Sequence, residues 1–219
     1  MCCIMQIKLQ DLVPIPLKEK FSSRSSDIWN TTVSFTPKSW IKIVAPSGTG
    51  KTTLMNTIYK LRHDYSGSVL FDSKDIKTIN GDKLALLRQQ KVSIIFQDLR
   101  LFENLTAREN IELNRVLQKP VYEAEVINQM AEKLGITHIL NQRAGICSYG
   151  EQQRIAIIRA LVKPFEWLLM DEPFSHLDNA NTEKAVALIS DECTKRNAGF
   201  LLTDLDEDNL FNYSNIYRL

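Results

Sequence analysis

The stretch WIKIVAPSGTGKTTLMNTIYKL, Trp40 to Leu61, decides the fold. It opens with a short apolar run of strand type, turns through a Gly-, Ser- and Thr-rich loop, and continues with helical spacing of apolar residues. A strand, a loop of this composition and a helix in that order form the context that a phosphate-binding loop requires. Gly48 and Gly50 permit the tight path that turns successive backbone N–H groups inward. Lys51 is placed to reach terminal phosphates, and Thr52 offers a hydroxyl to Mg²⁺. Pro46, Ser47 and Thr49 complete the cradle, and Thr53 follows in the first helical turn. The general pattern begins with Gly where this chain has Ala45. Because Pro46 pushes its predecessor into an extended conformation, Ala45 needs no positive φ and the exchange is tolerated.

Outward from this stretch, short strand-like runs alternate with helical patterns: VSIIFQ before a polar stretch, EWLLMD before TEKAVALISDEC, and then GFLLTD. The alternation predicts an α/β fold with a mostly parallel central sheet, whose ligand chemistry collects at the carboxyl ends of the strands. Between Gln97 and Pro164 the pattern is helical. Thr106 and Glu109 form a capping box, Val126, Ile127, Met130 and Leu134 keep helical spacing, and Gly135 is a helix stop. This segment is read as a helical subdomain inserted into the sheet domain. The front, Met5 to Ser39, reads as strands and turns.

Two further stretches carry chemistry. WLLMDEP, Trp167 to Pro173, is a buried strand ending in two adjacent acids, which fits Asp171 to a Mg²⁺ role and Glu172 to orienting and activating an attacking water. CSYGEQQRIAIIRAL, Cys147 to Leu161, opens with a second capping box, Ser148 with Glu151, and runs as a helix to about Val162. Its polar run Glu151, Gln152, Gln153 and Arg154 has no use in a merely buried helix.

The chain has 219 residues, with 27 Lys plus Arg against 26 Asp plus Glu, a net charge of +1. That balance gives no broad basic field for nucleic acid, so any anion is held locally. No apolar run approaches a membrane span, and the start lacks the pattern of a secretory signal. Among four cysteines and three histidines, no metal-ligand spacing stands out, and the cysteines read as structural thiols. Met5 begins a more ordinary strand start, so the first four residues read as an upstream extension.

With APSGTGKTT, IIFQDLRLFENLTAREN, CSYGEQQR and LLMDEPFSHLD in that order, the chain resembles the ATP-binding cassette (ABC) ATPases over nearly its whole length. The resemblance implies a P-loop NTPase fold with an N-terminal antiparallel β subdomain. Residues 5–96 and 165–219 would form the nucleotide-binding core, and 97–164 the helical subdomain, within one domain over 1–219. It implies ATP and Mg²⁺ as cofactors, with Thr52, Gln97 and Asp171 at the metal and Gln97 also sensing a membrane partner. It implies that Ser148, Tyr149, Gly150 and Glu151 bind the γ-phosphate held by a second, antiparallel subunit, with Asp178 at the dimer seam. The implied function is an ATP-hydrolysing subunit of a transport or membrane-remodelling complex. Its partners would be a second cassette, an integral permease-like subunit and no nucleic acid, and its place peripheral, on the cytoplasmic side of the membrane. IIFQDLRLFENLTAREN most resembles the lipoprotein-release, macrolide-efflux and cell-division subgroup.

Three departures stand out. Tyr149 occupies a signature position where the family has Gly, and Glu151 replaces the commoner Gln. The family expects a His directly after Thr203; Asp204 follows instead, by substitution or by deletion of the His. An ATP-operated clamp with slow hydrolysis is therefore the alternative function. For the ring that stacks on adenine, Phe21 is favoured over Trp29. Leu101, Phe102 and Leu105, in a loop-like stretch before a capped helix, are expected to present a coupling surface.

Overall fold

The computed structural model describes residues 5–18, 25–117 and 121–219. Phe21, Cys2 and Cys3 lie outside them. Among the described residues the central sheet has five strands in the order β6-β7-β8-β3-β9: β3 Trp40–Val44, β6 Val92–Ile95, β7 Trp167–Asp171, β8 Gly199–Asp204 and β9 Asn215–Arg218. Every neighbouring pair runs parallel. Side chains of a strand alternate between faces, and here both faces are buried. Leu168 and Met170 join Phe200 and Leu202 in the core on one face. Trp167 and Leu169 join Ile41, Ile43 and Leu201 in the core on the other. This double burial explains why these strands read as near-continuous apolar runs.

The second core is closed by a four-stranded antiparallel sheet, order β2-β1-β4-β5: β1 Ile7–Pro14, β2 Thr32–Phe35, β4 Tyr65–Phe71 and β5 Lys74–Asp75. Helix α1, Lys51–Ile58, buries Leu54, Met55 and Ile58 in this core, with residues of both sheets. A short helix α2, Gly81–Gln90, is capped by Asn80, whose side chain accepts from the Lys83 N–H, and buries none of its residues.

The first core is covered by α3 Ala107–Val116, α4 Glu125–Lys133, α5 Tyr149–Leu161 and α6 Asn179–Arg196. Both expected capping boxes form, Thr106 with Glu109 at α3 and Ser148 with Glu151 at α5. Such a cap is worth about 0.5–2 kcal/mol to its helix. Gly135 follows α4 with φ 68°, the left-handed stop that glycine allows. Among the described residues, 97–164 do not build a core of their own. Ile111, Ile127, Met130 and Ile158 share one apolar cluster with Leu168 and Phe200 of the sheet, so the inserted helices are continuous in packing with the sheet domain.

Candidate nucleotide site

Parallel register brings the carboxyl ends of the five strands to one edge. Val44 of β3 pairs with Asp204 of β8, and Thr203 pairs with Asp171 of β7. The phosphate loop leaves β3, the acid pair ends β7, and Gln97 follows β6. Ligands of open α/β sheets bind at this edge.

The loop has the expected path. Gly48 and Gly50 take φ 78° and 102°, while Ala45 is not among the residues of positive φ. Trp29 is 2% exposed, donates its indole N–H to the Thr49 carbonyl at 3.3 Å, and lies where a Cβ on Gly50 would approach within 3.2 Å. Trp29 is thus a brace behind the loop, and burial removes it as a stacking platform for adenine. Lys51 lies over the loop, donating to the Ala45 carbonyl at 2.7 Å and the Pro46 carbonyl at 3.2 Å. Its ammonium also stands 3.2 Å from Glu172 Oε1.

Thr52 donates to Gln97 Oε1 at 3.0 Å, and Gln97 Nε2 donates to Glu172 Oε2 at 3.4 Å. Asp171, 2% exposed, accepts from Thr203 Oγ1 at 2.8 Å. Burial pushes its carboxyl above the usual range, while hydrogen bonds from Thr52 and Thr203 pull it back in part. Ser47, Gly48, Gly50, Lys51, Gln97 and Glu172 border one cavity of about 240 Å³. Among the described residues no group of three or more His, Cys, Asp or Glu side chains could hold a metal. Mg²⁺ does not ask for one, because it is bound through one or two carboxylates together with phosphates and waters. The oxygen donors of Thr52, Gln97 and Asp171 fit that chemistry.

Glu172 has φ 47°. A left-handed backbone at a non-glycine residue costs about 1–2 kcal/mol and persists only where its surroundings fix it. Its N–H donates to the Thr203 carbonyl at 3.0 Å, which ties the turn to β8.

Ser148, Tyr149, Gly150 and Glu151 do not border the cavity. They open α5 elsewhere on the surface, with Tyr149 50% exposed. Glu151 accepts from the Ser148 N–H and hydroxyl, both at 2.8 Å, and these bonds hold its carboxyl below the usual range. Tyr149 turns its ring to His176, 4.2 Å between centroids. Asp178 caps α6, accepting from the Asn181 N–H at 2.8 Å.

Asp204 continues β8 without a break: its carbonyl accepts from the Ala45 N–H at 3.0 Å. It is therefore the strand position after Thr203, and its side chain does not border the cavity. Oδ1 accepts from the Leu205 N–H at 2.8 Å, and Oδ2 lies 3.8 Å from the ammonium of Lys42. Lys42 is fully buried in β3 and also pairs with Asp208, to which Tyr213 donates its hydroxyl at 2.8 Å. Sequence reasoning missed this network. Its one signal was a lysine inside a strand buried on both faces, a residue that demands a paired acid.

The ABC transporter family model matches residues 28–175, more than half of the chain. The chain belongs to the ABC transporter family. The cassette is 34% identical to the uncharacterized ABC transporter ATP-binding protein YvcR of Bacillus subtilis, over 76% of this chain and 65% of that protein. It is 31% identical to the macrolide export ATP-binding/permease protein MacB of Marinobacter nauticus, over 76% of this chain and 26% of that protein. The chain thus spans less than two thirds of these relatives. Its fold is similar to the dimeric post-hydrolysis structure of the ATP-binding cassette MJ0796 bound to ADP and Pi. The TM-score is 0.76 at 25% identity, covering 93% of this chain and 89% of that one. Among the described residues no helix is long and apolar enough to cross a membrane.

Proposed function

We propose that the cassette binds ATP with Mg²⁺ and hydrolyses it as the energy-coupling subunit of a membrane transport or membrane-remodelling complex. The convergence of Lys51, Thr52, Gln97, Asp171 and Glu172 at one sheet edge carries this reading. Lys51 leaves its carbonyl partners for the terminal phosphates, and Glu172 takes the proton of the water whose oxygen attacks the γ-phosphorus as ADP departs. Thr52, Gln97 and Asp171 would hold a Mg²⁺ ion, which when bound would supply positive charge against the phosphates. Because the signature residues lie away from the cavity, a second copy completes the site with Ser148 and the amino end of α5. The dimeric structure of the cassette MJ0796 supports this arrangement.

Replacing Lys51 by Ala is expected to weaken ATP binding about 10- to 100-fold, the worth of one charge-assisted bond of about 1.5–3 kcal/mol. A fluorescence titration showing unchanged affinity would remove the loop from the site.

We infer that the permease-like partner docks at the cleft beside Gln97. Phe102 stands 61% exposed at its mouth, while its backbone N–H is held by Asn110 Oδ1 at 2.8 Å. Leu99 and Arg100 both take left-handed φ, 55° and 49°, and Arg159 fixes the turn by donating to their carbonyls. Tyr59, Phe96, Arg100, Arg159 and Lys163 line the cleft. With Arg100, Arg159 and Lys163 set among Tyr59 and Phe96, the cleft is cationic and partly aromatic, which favours an acidic, partly apolar segment. Phe102→Ala is expected to weaken association with partner-containing membranes about tenfold, in the range of an exposed aromatic anchor, without lowering the melting temperature. Intact sedimentation with membranes together with a lower melting temperature would assign Phe102 to internal packing instead.

A second reading, an ATP-operated clamp with slow turnover, is favoured by one observation, the acid at position 204. ATP hydrolysis by the purified protein with Mg²⁺, measured with its dimerisation by light scattering, tests both. Brisk turnover supports the machine, and ATP-dependent dimers with little turnover support the clamp.

A further inference from the structure

Of the polar run at the start of α5, Glu151 and Gln152 bond to Ser148 and Cys147, and Gln153 is spent on the loop that follows β7. Gln153 is 1% exposed, and its amide spans the turn from Glu172 to His176. Nε2 donates to the Glu172 carbonyl at 3.3 Å, and Oε1 accepts from the His176 N–H at 3.0 Å. One buried side chain thus closes both ends of a five-residue turn whose first member is held in the left-handed region. Ser175 donates its hydroxyl to the same Glu172 carbonyl at 3.2 Å, but Ser175 belongs to the turn and moves with it. Gln153 reaches in from α5.

The neighbours of Gln153 bind the same loop. A Cβ on Gly150 would lie 3.0 Å from the His176 carbonyl, so the first turn of α5 lies close against the loop backbone. The Tyr149 ring meets His176, and Arg154 donates to Asn181 Oδ1 at 3.0 Å. The contacts run from Glu172 to the first turn of α6 and leave the Glu172 carboxylate aimed at Lys51 and Gln97.

We infer that Gln153 is a positioning residue for Glu172, fixing the backbone from which the carboxylate projects and tying its placement to the amino end of α5. The inference rests on the reading of Glu172 as the base. It gives the signature helix a role within its own chain: a displacement of α5 at its exposed end is felt at Glu172 through one amide. A carboxylate set wrongly by about 1 Å loses on the order of 100-fold in rate without losing the nucleotide, because the phosphate contacts lie on a different loop.

The test uses the full chain with Mg²⁺ and ATP. Gln153→Met keeps the length and apolar stem and removes both bonds; Gln153→Glu keeps the acceptor for His176 and removes the donor to Glu172. Both are expected to lower kcat about 10- to 100-fold with KM and ATP affinity within about twofold of the parent. In a Glu172→Gln background, Gln153→Met is expected to add no further loss, since two groups that act as a unit are not additive. Three results would overturn the inference: parental kcat in both variants while Glu172→Gln is inactive, a matching loss of ATP affinity, or full additivity in the double variant. If Gln153→Met does not fold, Gln153→Glu and its double variant carry the same comparison. Parental turnover in Glu172→Gln alone is a separate failure, of the base assignment itself, and the inference falls with it.

Discussion

Glu172→Gln is expected to cut ATP hydrolysis by about 10²–10⁴-fold, the usual contribution of a positioned general base, while ATP binding is retained or strengthened. The second half follows from the geometry. The Glu172 carboxylate stands 3.2 Å from the Lys51 ammonium, so without nucleotide it competes for the cation that the terminal phosphates need. Glutamine keeps the shape, keeps an acceptor for Gln97 Nε2, and gives up the charge that holds Lys51 back. The variant should therefore accumulate as a nucleotide-bound dimer, seen as an earlier elution in size-exclusion chromatography with Mg²⁺ and ATP. Hydrolysis at the parental rate would exclude Glu172 as the base. A large fall in ATP affinity would instead mean that the carboxylate contributes to binding, through the Mg²⁺ donors.

What was legible in the sequence was what local chemistry fixes. Ser148 with Glu151 and Thr106 with Glu109 announce helix starts because each cap closes within four residues. Gly48 and Gly50 announce a loop that few other residues could form. The strands β7 and β8 were readable because burial on both faces leaves unbroken apolar runs. Helix α2 escaped because none of its residues is buried, so no core-facing stripe marks it. Its sign was the Asn80 cap alone. Strand β9 is four residues at a sheet edge and carries little pattern.

The site divided along the same line. Lys51, Thr52, Asp171 and Glu172 sit in contiguous motifs, so the sequence names them together, and the fold brings them to one sheet edge. Gln153 was noticed as a polar excess without a purpose, since its partners, the Glu172 carbonyl and the His176 N–H, lie 19 and 23 residues away and meet it only in space. Lys42 and Asp208 are separated by 166 residues and were not linked. Trp29 was weighed as a ring for adenine because an aromatic ahead of the loop suits that role, and its place behind Gly50 is a matter of packing.

The largest gain is expected from Asp204→His. The resemblance implies that the His expected after Thr203 donates to the γ-phosphate as charge builds on the transferring group, and one preorganised donor of this kind is worth about 10²–10³ in rate. The structure makes the substitution, rather than an insertion after Thr203, the variant to build. Asp204 holds its register with Val44, and its carbonyl bonds the Ala45 N–H, so the backbone is already in place. The acid itself is drawn aside, to the Leu205 N–H and toward Lys42. Removing it does not strand a buried charge, because Lys42 keeps Asp208, which is held in turn by the Tyr213 hydroxyl. Burial and the charges of Asp208 and Glu172 raise the Asp204 carboxyl, against Lys42 and the Leu205 N–H, which lower it; exchanging it for imidazole also takes a like charge away from Glu172. Hydrolysis in Asp204→His should therefore rise with ATP affinity nearly unchanged, read from kcat and KM in the same assay. If the rate does not move and the parent already turns over briskly, another group meets the γ-phosphate and the clamp reading loses its motivation. If the rate does not move and the parent is slow, Asp204 does not occupy the position of the missing His, and inserting His between Thr203 and Asp204 is expected to raise the rate instead.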